Sequence, residues 1–164
     1  MASIIKLYRE KLPACVLIGK TYHDGDQNQT GNFSGQWEEW FRNGWFKTLE
    51  QTGKTVSDAY FGAMRMNGGV FEYWIGMLLD PAAEVPEGFS AERIPGGMFG
   101  TAWIKGTNGP ELYGACEECE AAFAREGWQV PDNAWHFERY VCPRFTTPDE
   151  NGEIILDYLA SLKD

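Results

Sequence analysis

Trp135-His136-Phe137-Glu138-Arg139-Tyr140-Val141-Cys142 is the run on which the reading of this chain turns. It is rich in aromatic and β-branched residues and follows the turn-forming Pro131-Asp132-Asn133, so it predicts a strand. Alternation puts Phe137, Arg139 and Val141 on one face and Glu138, Tyr140 and Cys142 on the other. A carboxylate in mid-strand beside aromatic rings, once buried, must be paired, be protonated, or await a cation. The plain alternative is a surface Glu138, paired with Arg139 or with a lysine of the next strand.

Outward from this run, residues 153–159 predict a closing strand, after a loop carrying Pro148 and Asn151-Gly152. Before it, 111–126 predicts a helix stopped by Gly127, and 98–105 predicts a strand. The first half has the same order. Residues 14–22 predict a strand and 23–35 a polar, Gly-rich loop. Residues 36–52 then predict a helix whose Trp37, Trp40, Phe41, Trp45 and Leu49 share an apolar face. Gly44 weakens that helix at its middle. Residues 59–66 and 71–79 flank Asn67-Gly68-Gly69 and predict a hairpin. The Pro- and Glu-rich 81–88 reads as a linker between modules of about 1–80 and 89–164 within one domain. Lys11-Leu12-Pro13 and Arg93-Ile94-Pro95 echo each other before the two leading strands. The expected fold class is α+β: duplicated strand-helix-strand-strand modules, pseudo-twofold symmetry, and a central ligand cleft.

The chain has 164 residues, 43% of them hydrophobic, and 7 Trp, 7 Tyr and 10 Phe exceed what a plain core requires. A net charge of −10 argues against direct nucleic-acid binding and suits cationic small molecules. No signal peptide or membrane-spanning run is read at the N-terminus or elsewhere, so the expectation is a cytoplasmic protein with reduced thiols. Asn28-Gln29-Thr30 and Asn32-Phe33-Ser34 are read as loop polar residues rather than glycosylation sites.

Cys116-Glu117-Glu118-Cys119 lacks the second ligand pair of a zinc site, while Leu112, Cys116, Cys119 and Phe123 form one apolar helical stripe. Those thiols are expected in the core, and no metal or cofactor is expected. His23 and His136 are read as loop and strand-edge residues. Gly106-Thr107-Asn108-Gly109 lacks the lysine of a phosphate loop, and no nucleophile elbow appears. Plain packing is expected for at least two of Trp37, Trp40 and Trp45. Glu138 and Tyr140 remain, with Trp74, Trp103, Tyr60 and Phe61 as candidate aromatic walls for an organic cation.

The run from Phe71 to Gly76, then Val85-Pro86-Glu87-Gly88-Phe89, Ile94-Pro95-Gly96-Gly97-Met98-Phe99, Gly106, Trp128 and Phe137-Glu138-Arg139-Tyr140 resembles the GyrI-like small-molecule-binding superfamily. This superfamily includes effector-binding domains of bacterial multidrug-sensing and AraC-type transcription activators. The resemblance implies the duplicated fold and a cleft in which Glu138, in the Phe-Glu-x-Tyr motif, meets lipophilic cations beside Tyr140. It also carries Trp74 and Trp103. Some relatives open strained cyclopropane rings hydrolytically, which would make Glu138 and Tyr140 catalytic. Others, like the gyrase-inhibitor protein, act through protein contacts. No DNA-binding unit is read in this chain. The expectation is a stand-alone binding protein for hydrophobic, cationic small molecules, serving drug or xenobiotic sensing or sequestration, as a monomer or weak homodimer.

Overall fold

A computed structural model describes residues 2–29 and 31–163. Met1 and Thr30, which enter the readings of the N-terminus and of Asn28-Gln29-Thr30, lie outside the described residues. The chain runs β1 (Ser3–Leu12), β2 (Cys15–Tyr22), α1 (Ser34–Arg42), α2 (Trp45–Thr52), β3 (Tyr60–Asn67) and β4 (Val70–Leu79). It continues with β5 (Ser90–Ile94), β6 (Gly97–Gly106), α3 (Gly109–Tyr113), α4 (Cys116–Arg125), β7 (His136–Tyr140) and β8 (Ile154–Ser161). Contacts divide it into two compact units, one of residues 1–12 with 97–164 and one of residues 13–96. The fold is α+β.

In the continuous unit the strands are ordered β3-β4-β2-β5, all antiparallel. The β3–β4 hairpin turns at Gly68 and Gly69, with φ of 59° and 85°, the left-handed pair that a tight hairpin requires. Val16, Ile18, Tyr73, Ile75, Met77 and Leu79 alternate onto one face, which is packed by Trp40, Phe46 and Leu49 of the helices. Trp40 is wholly buried, and Trp37 and Trp45 pack against the same cluster. The helix expected over 36–52 is two helices. Gly44 takes φ +66° between them and turns the chain where a side chain would be strained.

The discontinuous unit is ordered β1-β6-β8-β7, again antiparallel. Ala102, Ile104, Leu156, Tyr158 and Ala160 face Leu112, Ala115, Cys119 and Phe123 of the covering helices. The helix expected over 111–126 is likewise divided, at Gly114 and Ala115. Its end is a Schellman motif. Gly127 takes φ +81°, its N–H reaches the Ala124 carbonyl at 3.0 Å, and the Trp128 N–H reaches that of Phe123 at 3.0 Å.

Two strands went unread in the sequence. In β1 a bulge between Ile4 and Lys6 leaves Ile5 exposed and brings Ile4 and Leu7 to the same core, so the apolar spacing is three instead of two. β5 has five residues on the edge of its sheet, with little apolar pattern to read. Each of these strands pairs away from its neighbour in sequence, β1 with β6 and β5 with β2. The echoing tripeptides end β1 and β5, just before β2 and β6.

The helix-free face of the discontinuous unit carries an ion cluster. Asp157, with no exposure, accepts from Arg139 Nε and from Arg144 Nε, each at 2.9 Å. Arg139 also donates to both Glu10 oxygens at 2.9 Å. Those bonds and one from Thr101 outweigh burial and lower the Glu10 pKa. Removing one member leaves a buried charge uncompensated. Asp157→Asn is expected to cost about 3–5 kcal/mol, read as a fall in the urea midpoint at an unchanged slope.

Candidate functional site

Arg139 pairs across the strands with Asp157, and Glu138 pairs with Tyr158. Since Tyr158 lies in the helix-covered core, alternation sends Glu138 and Tyr140 toward α3 and α4. Glu138 is 6% exposed. The Tyr140 hydroxyl donates to its Oε1 at 3.1 Å. Tyr113, at the end of α3, hydrogen-bonds Tyr140, and its own pKa is raised by burial and then by the Glu138 charge. Cys116, at the start of α4, is pushed up to about 12 by burial and then by Glu138. Its Sγ donates to the Tyr113 carbonyl at 3.3 Å. The site is a buried carboxylate that accepts from the Tyr140 hydroxyl, and its charge opposes ionisation of Tyr113 and Cys116 beside it.

The residues expected as aromatic walls lie on both units. Trp103 pairs with Asp157, so it lies on the sheet face opposite Glu138. There it donates to the Tyr8 hydroxyl at 3.2 Å and lies between Lys6 and Arg144, at 4.5 and 4.2 Å from its ring. Trp74, Phe61 and Tyr60 belong to the other unit. Trp74 donates to Glu72 at 3.2 Å. Phe61 is buried, two residues from Ala63 and thus on the face where Ala63 pairs with Trp74. Tyr60 stacks on Phe46, centroids 3.8 Å apart, and donates to Glu50 at 3.1 Å. Sequence reading missed Tyr113 and Cys116. The spacing of the apolar stripe through Leu112 and Cys116 placed that helix on the sheet, and could have located them.

It also missed the role of His136. Nδ1 lies 2.7 Å from the Tyr158 hydroxyl and 3.1 Å from Glu120 Oε1, and Tyr158 donates to Glu120 at 3.2 Å. Burial outweighs the Glu120 charge and lowers the His136 pKa. A groove of about 740 Å³ opens here, lined by residues including Trp128, Val130, Asp132 and Lys163.

Two predictions follow from these protonation states. Folded His136 resists the proton that the unfolded chain takes up near pH 6.5, so stability falls as pH drops below that value. Glu10 holds its charge below its ordinary 4.5, so protonation on further acidification removes a second contribution. Urea midpoints measured against pH should fall in these two windows, and His136→Gln should flatten the first. Burial raises Cys15 to about 11 and Cys116 and Cys119 to about 12, whereas Cys142 is exposed. Iodoacetamide at about pH 8 should therefore label Cys142 alone in the folded protein, as read by mass spectrometry.

Among the described residues no helix is long and apolar enough to cross a membrane, and no cluster of three or more metal-ligating side chains occurs. No protein-family model matches the chain, and no curated protein matches its sequence. Solved structures do. The structure of SAV2435 bound to tetraphenylphosphonium is 17% identical with a TM-score of 0.71, over 97% of this chain and 94% of that one. The EcmrR C-terminal domain is 10% identical with a TM-score of 0.63, over 97% and 98%. A hydrolase from Listeria innocua is 11% identical with a TM-score of 0.54, over 96% and 92%. The chain shares its fold with these structures, an α+β fold of the class that the sequence implied.

Proposed function

We propose that this protein binds hydrophobic, cationic small molecules, with Glu138 as the charge that selects them. The observation that carries this reading is a nearly buried carboxylate that accepts from the Tyr140 hydroxyl and that, after burial itself, is the next cause raising the pKa of both Tyr113 and Cys116. A group that makes its neighbours resist a negative charge favours the arrival of a positive one. Tyr113 and Tyr140 bring aromatic rings next to that carboxylate, and contact of an organic cation with such a ring contributes about 0.5–2 kcal/mol. The break between α3 and α4 falls beside Tyr113 and Cys116, so the segment over Glu138 is a chain interruption instead of a continuous helix. The fold shared with a structure that holds tetraphenylphosphonium is in keeping with a lipophilic cation. In this reading the protein serves to sense or sequester such compounds in the cytoplasm.

A second reading uses the same residues. The fold is shared with a hydrolase, and a buried Glu138 bonded to Tyr140 has the parts of an acid–base pair that could activate water.

One experiment separates the two. Tetraphenylphosphonium binding to wild type and Glu138→Gln is followed by tryptophan fluorescence, and strained-ring electrophiles are incubated with each protein and recovered for mass analysis. Glu138→Gln is expected to weaken phosphonium binding by about tenfold, roughly 1.4 kcal/mol, with every compound returned intact. Equal binding by the folded variant overturns the binding role of Glu138. Addition of one water by wild type alone makes the protein a hydrolase.

A further inference from the structure

Lys20 stands where β2 should carry an apolar residue. It pairs with Ile75, between Ile18 and Tyr22 on the face that packs against α1 and α2. Among the described residues no carboxylate pairs with its ammonium. The ammonium donates instead to the Gly88 carbonyl at 2.7 Å and lies 4.4 Å from the Trp45 ring centroid and 4.6 Å from that of Phe89. The two rings stand at 84° to each other. Trp40 stands at 83° to Trp45 and 66° to Phe89, with centroids 5.4 and 5.8 Å away. Trp45 and Phe89 make two walls of a box, their negative faces turned on one ammonium, and Trp40 packs edge-on against both rings.

We propose that this box is an ammonium-binding cage whose resident ligand is Lys20, and that small quaternary ammonium compounds compete for it. A quaternary ammonium has no N–H to satisfy and a weaker hold on water than a primary one. It gives up less on entering an aromatic box and does not need the Gly88 carbonyl. The tethered Lys20 acts as a competitor at high effective concentration, which keeps the wild-type affinity low. When an outside cation takes the cage, both Lys20 bonds to the segment leading into β5 are released, and Gly88 and Phe89 lose their tie to β2. The cage lies in the continuous unit and shares no residue with Glu138.

The test uses choline and its uncharged carbon isostere, dimethylbutanol, titrated into wild type and Lys20→Ala by ligand-observed NMR, with circular dichroism reporting the fold. Lys20→Ala is expected to bind choline at least about tenfold tighter than wild type does, and to prefer choline to the isostere. Adding Trp45→Ala to that variant is expected to abolish the gain. A folded Lys20→Ala that binds choline no better than wild type, or binds the isostere equally well, overturns the proposal. Should Lys20→Ala fail to fold, the neutral, unbranched and nearly isosteric Lys20→Met carries the same comparison. Lys20→Ala should leave tetraphenylphosphonium binding unchanged, so that a change at one cation site is not mistaken for a change at the other.

Discussion

A fully buried carboxylate, Asp157, fixes the register of the discontinuous unit. It takes Arg139 from the neighbouring strand and Arg144 from the loop that follows β7. Slipping β7 by one residue would bury Arg139 on the apolar helix side and leave Asp157 without its cross-strand partner. The same alternation decides the fate of Glu138. With Arg139 held on one face, the residues before and after it must point to the other, beneath α3 and α4. The burial of the candidate binding carboxylate is thus a consequence of an ion pair one residue away.

The continuous unit repeats this device with different parts. Arg65 pairs across the strands with Glu72, as Arg139 does with Asp157, and reaches Glu92 on β5 as Arg139 reaches Glu10 on β1. One residue earlier the likeness ends. Met64 faces Tyr73 where Glu138 faces Tyr158. The architecture is duplicated, and the buried anion is not. An apolar thioether in one unit and a carboxylate in the other mean that the two helix-covered cores differ in charge while sharing strand order and register.

Much of this was legible in the residues. The Asn-Gly-Gly hairpin, the strands of 14–22, 98–105 and 153–159, and the alternation through Phe137–Tyr140 are local patterns, and local geometry preserved them. The bulge in β1 hid a strand because it replaced the period of two with a spacing of three. The helix breaks at Gly44 and Gly114 were visible as glycines, but an apolar stripe that continues across a break masks it. Sheet faces were harder. Period two assigns a side within one strand, yet whether Trp103 and Glu138 share a side depends on the β6–β8 and β8–β7 registers, which no local pattern encodes. The cluster of His136, Tyr158 and Glu120 joins residues from two strands and a helix, so nothing in its spacing announced it.

The pairing of β1 with β6 and of β5 with β2 bears on how the chain is made. During synthesis residues 13–96 emerge as one uninterrupted run that already holds every strand of its unit. β1 leaves the ribosome before β2 to β5 and finds no partner until β6 follows them. One unit can therefore close while the other is still being translated, and β1 waits through the making of four later strands before it is paired. The charges at Lys6, Arg9, Glu10 and Lys11 sit on that waiting strand, where they keep an unpaired edge from joining another chain.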